Sequence, residues 1–208
     1  MMNAATQKRT FEGAAGLIEA LLDLPAQAPR GTAVIAHPHP LFGGTMQNKV
    51  VQTVARAFVH CGWQAVRFNF RGVGASAGIH DEGQGETQDM LEVIRQAAPN
   101  GPLALAGFSF GAYVASHAVS GLTHGREPEK IVLVGTAASR FDVAPIAPEL
   151  HERTLVLHGE QDDTVALSSV LDWARPQSLP VTVIPGVEHF FHGQLPLLKS
   201  LVVRHLQA

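Results

Sequence analysis

A short apolar strand that runs directly into Gly-x-Ser-x-Gly and then into a helix is the feature that most restricts how this chain folds. The apolar run 103–106 is followed by Gly-Phe-Ser-Phe-Gly at 107–111 and then by Ala-Tyr-Val-Ala-Ser. This order predicts a sharp, strained strand-to-helix turn at Ser109. The two glycines are expected where a Cβ would collide with backbone as the turn tightens. The Ser109 hydroxyl is therefore expected above the sheet edge, beside a helix N-terminus that favours negative charge.

A second Gly-x-Ser-x-Gly copy, at residues 74–78, lies in a different context. Ile-His-Asp-Glu-Gly-Gln-Gly follows it, which is not the sequence of the first two turns of a core helix. Its glycines also lack the G-x-G-x-x-G spacing that opens a helix in dinucleotide-binding proteins. We therefore predict a glycine-rich loop around Ser76 and no nucleotide cofactor.

Composition limits the class of protein. With 208 residues, 46% hydrophobic and 16% charged, the chain is expected to form one globular domain, 1–208, with a large core. It has no apolar run long enough to cross a bilayer, and residues 1–11 lack the apolar segment of a signal peptide, so we expect a cytoplasmic protein. A net charge of −3 without a basic cluster gives no electrostatic basis for binding nucleic acid or membranes.

Strand and helix patterns alternate along the chain. Thr45 is the expected N-cap of the first helix, and residues 13–24 fit either a helix or an edge hairpin. Fully apolar strands separated by helices predict an α/β fold with a mostly parallel sheet and helices on both faces. The predicted strands are 32–36, 65–70, 103–106, 131–134, 154–158 and 181–184, and the predicted helices are 46–60, 86–97, the segment after Ser109, and 195–206.

Residues that carry chemistry follow four of these strands. In open parallel sheets, active sites gather at the carboxyl ends of the strands. There the chain has HPHPLFGG from His37, the turn at Ser109, GEQDDTV from Gly159 and PGVEHFFH from Pro185. A nucleophile, an acid and a histidine thus follow one another in the order of the α/β-hydrolase triad.

On these segments the sequence resembles the α/β-hydrolase superfamily, and more narrowly its small lidless bacterial serine hydrolases related to dienelactone hydrolase. The resemblance covers nearly the whole chain and rests on HPHPLFGGTMQNKV, RFNFRGVGASAG, GFSFG, HGEQDDTV and GVEHFF. It implies an α/β-hydrolase fold with Ser109 as nucleophile, Asp162 as acid and His189 as base. Dienelactone hydrolases have a cysteine where this chain has Ser109, so their particular substrate is not carried over.

The chemistry supports the same roles. A serine hydroxyl becomes a good nucleophile when a neutral imidazole takes its proton, and a carboxylate must hold that imidazole in the right tautomer. Asp163 is an alternative acid and His192 an alternative base, with Asp142 a more remote acid. The sequence leaves these alternatives open.

Two backbone N–H groups are expected to stabilise the oxyanion. One is the N–H of Phe110, directly after the nucleophile. The other is expected from the loop after the first parallel strand, where Pro38 and Pro40 have no N–H to donate. We predict Leu41 as the second donor, with His39 as the alternative.

The segment 135–153 is too short for a lid domain, so we predict an open, shallow site. The side chains expected to contact substrate are Phe42, Phe108 and Phe190. The predicted function is hydrolysis of small carboxylic esters or thioesters through an acyl-enzyme, with a small-molecule substrate as partner and with no cofactor or metal. The sequence leaves the oligomeric state open.

Other functions and roles stay open. Acyl transfer uses the same residues, and a member of the same fold need not be catalytic. A metal-dependent hydrolase is more remote, because the histidine pairs of HPH and HFFH lack the His-x-x-x-His spacing of a helical metal site. His37 and His39 are interpreted as braces of their loop, and Arg71 either pairs with a carboxylate beneath the site or contacts substrate.

Overall fold

Strands and helices alternate through most of residues 6–208, the part of the chain that the computed structural model describes. Short 3-10 turns occur at Pro40–Phe42, Pro148–Arg153 and Arg175–Gln177. The strands are β1 (Thr6–Gly13), β2 (Gly16–Asp23), β3 (Thr32–Ala36), β4 (Gln64–Phe68), β5 (Leu103–Phe108), β6 (Lys130–Val134), β7 (Thr154–Gly159) and β8 (Val181–Ile184), and the helices are α1 (Lys49–His60), α2 (Gln84–Ala97), α3 (Phe110–Gly121), α4 (Leu167–Ala174) and α5 (Leu195–Gln207).

These strands form one sheet in the order β1-β2-β4-β3-β5-β6-β7-β8. The strands from β4 to β8 pair in parallel, while β1 and β2 pair antiparallel. The chain reverses its direction of winding between β3 and β5, and ligands of open α/β sheets bind at such switch points. The loop after β3 and the turn after β5 therefore meet where a site is expected.

Apolar cores lie on both faces of the sheet. Along β3, Ala33 and Ile35 face the core that includes α1 and α5, whereas Val34 and Ala36 face the core that includes α2, α3 and α4. All residues of β3 are buried, because successive side chains of a strand point to opposite faces and both faces are covered. The predicted α/β-hydrolase fold, with helices on both faces, is confirmed.

The ambiguous segment 13–24 is part of an edge hairpin. β2 pairs with β1 over its length and with β4 near its end, where Ala20 lies opposite Phe68. Its residues have helical propensity, but pairing on both sides and the burial of Ile18 and Ala20 outweigh that local preference.

The predicted start of the first helix is wrong by three residues. α1 begins at Lys49, and its N-cap is Asn48, whose side chain accepts a hydrogen bond from the N–H of Val50 at 2.9 Å. Met46 is held outside the helix because its N–H donates to the Asn69 side chain and its carbonyl accepts from Arg67. Contacts with the end of β4 thus prevent the first turn that periodicity predicts. The short helix α4 was not predicted at all.

The segment between β6 and β7 forms no lid domain. Between residues 135 and 153 the regular structure is the single 3-10 turn Pro148–Arg153. The carboxyl ends of the central strands are left uncovered on this side. Within residues 6–208, no helix has both the length and the apolar character needed to cross a bilayer.

Candidate active site

Ser109 lies on the sharp turn that its sequence context predicts. Its backbone has φ 57° and ψ −118°, a conformation that costs free energy in a residue other than glycine and persists only where the surroundings impose it. Its N–H donates to the carbonyl of Val134 at 2.8 Å. A Cβ at Gly107 would overlap the carbonyl oxygen of Gly111, and one at Gly111 would overlap that of Ala36. The two glycines therefore allow the strand and the helix to pack this closely.

A histidine and a carboxylate extend in line from the Ser109 hydroxyl. His189 Nε2 lies 3.0 Å from Ser109 Oγ, and His189 Nδ1 lies 2.6 Å from Asp162 Oδ2. The three residues follow β5, β7 and β8 at the same edge of the sheet, and all three are buried. With its Nδ1 proton held by the carboxylate, the neutral imidazole has Nε2 free to accept the hydroxyl proton.

Backbone groups orient the Asp162 carboxylate. Its Oδ1 accepts hydrogen bonds from the N–H groups of Thr164 at 3.0 Å and Val165 at 2.7 Å, which leaves Oδ2 to His189. Burial raises the pKa of Asp162, but the hydrogen bonds from His189 and Val165 outweigh it, so the pKa lies below its ordinary value. The carboxylate is thus ionised and able to stabilise a protonated imidazole.

The alternative acids and base lie apart from this arrangement. Asp163 is exposed and accepts from the Thr164 hydroxyl at 3.3 Å. His192 is exposed, with Nδ1 3.1 Å from Glu188 Oε1. Asp142 is exposed as well, and its carbonyl accepts from His117. The structure brings together Ser109 and His189 with the first of the two adjacent aspartates.

Two backbone N–H groups of this site, those of Phe110 and His39, have no acceptor among the described residues. Phe110 is the first residue of α3, so its N–H has no acceptor within the helix. Among the hydrogen bonds of residues 6–208, none is donated by the N–H of His39, which lines the cavity. The N–H of Leu41 donates to His39 Nδ1 at 3.3 Å, and its side chain is 68% exposed. Of the two donors considered from the sequence, the N–H of Leu41 is used within its own turn, whereas the N–H of His39 has no acceptor among the described residues. These hydrogen bonds favour His39, and the second oxyanion donor stays a prediction.

A cavity of about 240 Å³ opens beside Ser109. Phe42 and Phe190 line it, as the sequence predicts, and so do Phe141 and Arg140, which were not among the predicted contacts. Phe108 does not line it. Its ring is buried and packs 4.9 Å from the ring of His189, because the side chain belongs to the last residue of a strand covered on both faces.

Comparisons with known proteins identify the family of the chain. A family model described as serine aminopeptidase, S33, matches residues 27–147, more than half of the chain. The chain belongs to this family of α/β-hydrolases.

Solved structures similar to this α/β-hydrolase include a lidless α/β serine hydrolase from Xanthomonas campestris. The two are 35% identical, with a TM-score of 0.87 over 100% of this chain and 96% of the other. An α/β serine hydrolase homologue from Coxiella burnetii is also 35% identical, with a TM-score of 0.81 over 99% of each chain. An uncharacterized protein of Rickettsia prowazekii is 33% identical over 197 residues, which are 87% of this chain and 80% of that protein. The hydrolase therefore shares its fold and its lack of a lid with serine hydrolases.

His37 braces the loop that carries His39. Its Nε2 accepts from the N–H of Phe70 at 3.0 Å, and its Nδ1 donates to the carbonyl of Pro38 at 2.6 Å. Burial lowers the pKa of His37 to about 4, although the bond to Pro38 acts in the opposite direction. The ring therefore stays neutral and connects the loop after β3 to the end of β4.

Arg71 is a second brace of the hydrolase. Its Nε and Nη2 both donate to the Asp89 carboxylate at 2.8 Å, and Nη2 also donates to the carbonyl of Gly85 at 2.8 Å. Arg71 is not among the residues that line the cavity. Of the two roles open to this residue, the structure favours pairing with a carboxylate.

His158 supports the acid and was missed by sequence reasoning. Its Nε2 donates to the carbonyl of Val165 at 3.0 Å and lies 3.6 Å from Asp162 Oδ2. Burial lowers the pKa of His158, which keeps the ring neutral beside the carboxylate. Its position at the end of a strand, directly before the glycine of GEQDDTV, is the sequence signal that could have identified it.

Within residues 6–208, histidine, cysteine, aspartate and glutamate side chains form no group of three that could hold a metal ion.

Proposed function

We propose that this α/β-hydrolase cleaves small carboxylic esters or thioesters through an acyl-enzyme on Ser109. The observation that carries the proposal is the connected line from Ser109 Oγ to His189 at 3.0 Å and from His189 to Asp162 at 2.6 Å. A serine, a histidine and a carboxylate in this order are the groups that activate a hydroxyl for attack on an acyl carbon.

In the first half-reaction, Ser109 Oγ bonds to the carbonyl carbon while His189 Nε2 takes the hydroxyl proton. The negative charge that develops on the carbonyl oxygen is stabilised by the N–H groups of Phe110 and His39, each contributing roughly 3 kcal/mol. Asp162 stabilises the protonated imidazole. The tetrahedral adduct then expels the alcohol or thiol, which takes the proton from His189 and leaves an ester on Ser109.

In the second half-reaction, water replaces the departed group. His189 removes a proton from the water as its oxygen attacks the acyl carbon, and the same N–H groups stabilise the second tetrahedral adduct. Collapse of this adduct releases the carboxylic acid and returns the proton to Ser109 Oγ. Since no lid covers the carboxyl ends of the strands, bulk water reaches the acyl-enzyme, which favours hydrolysis over acyl transfer.

The size of the cavity favours short acyl groups. A volume of about 240 Å³ holds a few methylenes against Phe42, Phe141 and Phe190, and each methylene removed from water contributes about 0.8 kcal/mol. A longer chain extends into water and gains nothing further. We therefore propose substrates of about four to six acyl carbons as the best ones.

The family model takes its description from aminopeptidases, but the cavity favours an ester over a peptide with a free amino terminus. Binding an α-ammonium group requires a carboxylate or several carbonyls in the site. The residues that line the cavity include Arg140 and neither aspartate nor glutamate. A fixed positive charge disfavours an ammonium group there.

Labelling with a fluorophosphonate probe, with and without a chelator, tests the reaction class. We expect labelling of the protein on Ser109, resistance to the chelator, and loss of labelling in Ser109→Ala but not in the control Ser76→Ala. Hydrolysis that is abolished by the chelator, in a protein that the probe does not label, would contradict the proposal in favour of a metal-dependent enzyme.

An acyl series of p-nitrophenyl esters and of matched thioesters tests the substrate class. We expect kcat/KM to rise from acetyl to about butyryl or hexanoyl and then to fall, without interfacial activation. Long-chain lipid emulsions as the best substrates would contradict the small-substrate proposal, because they require a lid or a tunnel to cover the chain.

A further inference from the structure

Arg140 is a positive charge on an otherwise largely apolar cavity wall. It follows β6 in the open segment between β6 and β7 and lines the same cavity as Ser109. Its side chain is exposed, and its guanidinium carbon lies 5.9 Å from the centroid of the Phe42 ring, which is itself 75% exposed. A cation and an aromatic surface thus lie side by side next to the candidate nucleophile.

The Arg140 guanidinium has no counter-ion within the described residues. No carboxylate of residues 6–208 lies within 4.0 Å of it, and no hydrogen bond of its side chain occurs in that part of the chain. Two less exposed arginines of the same protein are paired: the buried Arg67 contacts Asp23 at 2.7 Å, and the half-buried Arg71 contacts Asp89 at 2.8 Å. Arg140 therefore has no comparable structural partner among the described residues, and its N–H donors are free to bind another molecule.

We infer that Arg140 binds a carboxylate of the substrate, so that the hydrolase prefers small esters or thioesters that carry a negative charge away from the scissile bond. This inference rests on the proposed function. A guanidinium whose N–H groups have no partner in the protein can present two of them to the two oxygens of a carboxylate. One arginine balances one negative charge, which favours a carboxylate over a phosphate dianion.

The apolar part of the same substrate has a place in this cavity. Phe42 and Phe141 line the same cavity as Arg140 and Ser109 and supply aromatic surface there. The charged end is expected on the Arg140 side and the scissile carbonyl at Ser109. Arg140 is thus a specificity-determining residue, and it takes no part in bond making or breaking.

Matched pairs of charged and neutral esters test the inference. For a charge on the leaving group, 3- and 4-acetoxybenzoate are compared with their methyl esters. For a charge on the acyl chain, phenyl hydrogen adipate is compared with phenyl hexanoate. For each pair we measure the ratio of kcat/KM, charged over neutral, in wild type, Arg140→Gln, Arg140→Lys and Arg56→Gln. Arg56 is exposed on α1 and does not line the cavity, so Arg56→Gln controls for the loss of one positive charge.

We expect Arg140→Gln to lower the ratio about tenfold in at least one pair, which identifies the end of the substrate that carries the charge. Arg140→Lys retains part of the preference, because it keeps the charge and loses the planar fork. Arg56→Gln leaves the ratio unchanged. Ratios in Arg140→Gln that equal those of wild type in all three pairs would overturn the inference.

A binding measurement separates this inference from the proposed function. Affinity for 4-acetoxybenzoate and for phenyl hydrogen adipate is measured by NMR titration of Ser109→Ala and of the double variant Ser109→Ala/Arg140→Gln, where no turnover interferes. We expect about tenfold weaker binding of at least one of them by the double variant. Equal affinities for both overturn the role of Arg140 even if wild type is an active esterase. Absence of fluorophosphonate labelling, with the affinity difference present, contradicts the proposed function alone.

Discussion

The two Gly-x-Ser-x-Gly segments of this protein contain serines of nearly equal burial in entirely different environments. Ser109 is 8% exposed and Ser76 is 7% exposed. Ser109 Oγ lies 3.0 Å from His189 Nε2, whereas Ser76 Oγ donates to the carbonyl of Asn69 at 2.7 Å and accepts from the N–H of Glu19 at 3.0 Å. One hydroxyl faces a base and a cavity, and the other ties a loop to β2.

The glycines of the two segments serve different physical purposes. Gly74 and Gly78 have φ values of 59° and 88°, which a residue with a Cβ rarely adopts. Gly107 and Gly111 do not have positive φ, and they are required because any Cβ there would overlap backbone of the neighbouring element. In the segment around Ser76 glycine allows the chain to turn, and in the segment around Ser109 it allows a strand and a helix to approach.

The flanking residues decide whether Gly-x-Ser-x-Gly forms a strand-to-helix turn or a loop. A strand buried on both faces precedes Ser109, and a helix of small and apolar residues follows it. After Gly78 the chain continues with exposed Ile79 and with His80 and Asp81, and the next helix begins only at Gln84.

Replacing each serine by alanine tests this comparison most strongly. We expect Ser109→Ala to lower turnover of an activated ester at least about a thousandfold, because no neighbouring group can replace the nucleophile. Ser76→Ala loses two buried hydrogen bonds and costs about 1 to 2 kcal/mol of stability, with kcat/KM within about twofold of wild type. Ester turnover and urea unfolding of both variants measure this. If Ser76→Ala lost activity and Ser109→Ala kept it, the nucleophile would be Ser76 and the assignment of Ser109 would be wrong.

His189 and Asp162 support Ser109, whereas within residues 6–208 the hydroxyl of Ser76 hydrogen-bonds only to backbone groups. Variants of these two residues therefore test the difference between the two serines. We expect Asp162→Asn and His189→Ala to lower kcat at least about a hundredfold, since the amide cannot hold the required tautomer and the alanine removes the base. Asp163→Asn and His192→Ala are the matched controls, and both are expected to stay within about twofold of wild type. The measurement is steady-state ester hydrolysis at saturating substrate. The opposite ranking of the two aspartates would move the acid to Asp163.

His37 links the two regions and has the smallest of these expected effects. It connects the loop after β3, which lines the cavity of Ser109, to Phe70. Phe70 lies just before the segment that contains Ser76. Burial lowers its pKa to about 4, whereas an unfolded histidine binds a proton below about pH 6.5. Acid therefore favours the unfolded state, and His37 accounts for about 2 kcal/mol of stability lost between pH 7 and pH 5.

Urea unfolding at these two pH values measures the contribution of His37. We expect the loss of stability between pH 7 and pH 5 to be smaller by about 2 kcal/mol in His37→Gln than in wild type. His124, an exposed histidine, is the control, and His124→Gln is expected to keep the wild-type difference. An unchanged pH dependence in His37→Gln would show that this histidine is not the neutral link that its contacts indicate.

Much of the architecture follows from local pattern. Apolar segments of strand length, amphipathic helices and the turn at Ser109 are set by residues that are neighbours in sequence, and these expectations were correct to within a few residues. The order of serine, acid and histidine also follows from the sequence, because each comes directly after a strand and parallel strands end at one edge. The hairpin did not follow from local pattern, since residues of β2 favour a helix and pairing with β1 and β4 makes that segment a strand.

Choices between neighbours required the tertiary structure. Asp162 and Asp163 have the same chemistry, and only the hydrogen bonds from Thr164 and Val165 determine which carboxylate faces a histidine 27 residues away. The N–H of Leu41 donates to His39 within a turn that no periodicity reveals. The sequence by itself determined most of the strands and helices and which chemical groups end the parallel strands, since both depend on local pattern. The tertiary structure alone decided which groups meet, because that depends on distances between distant segments.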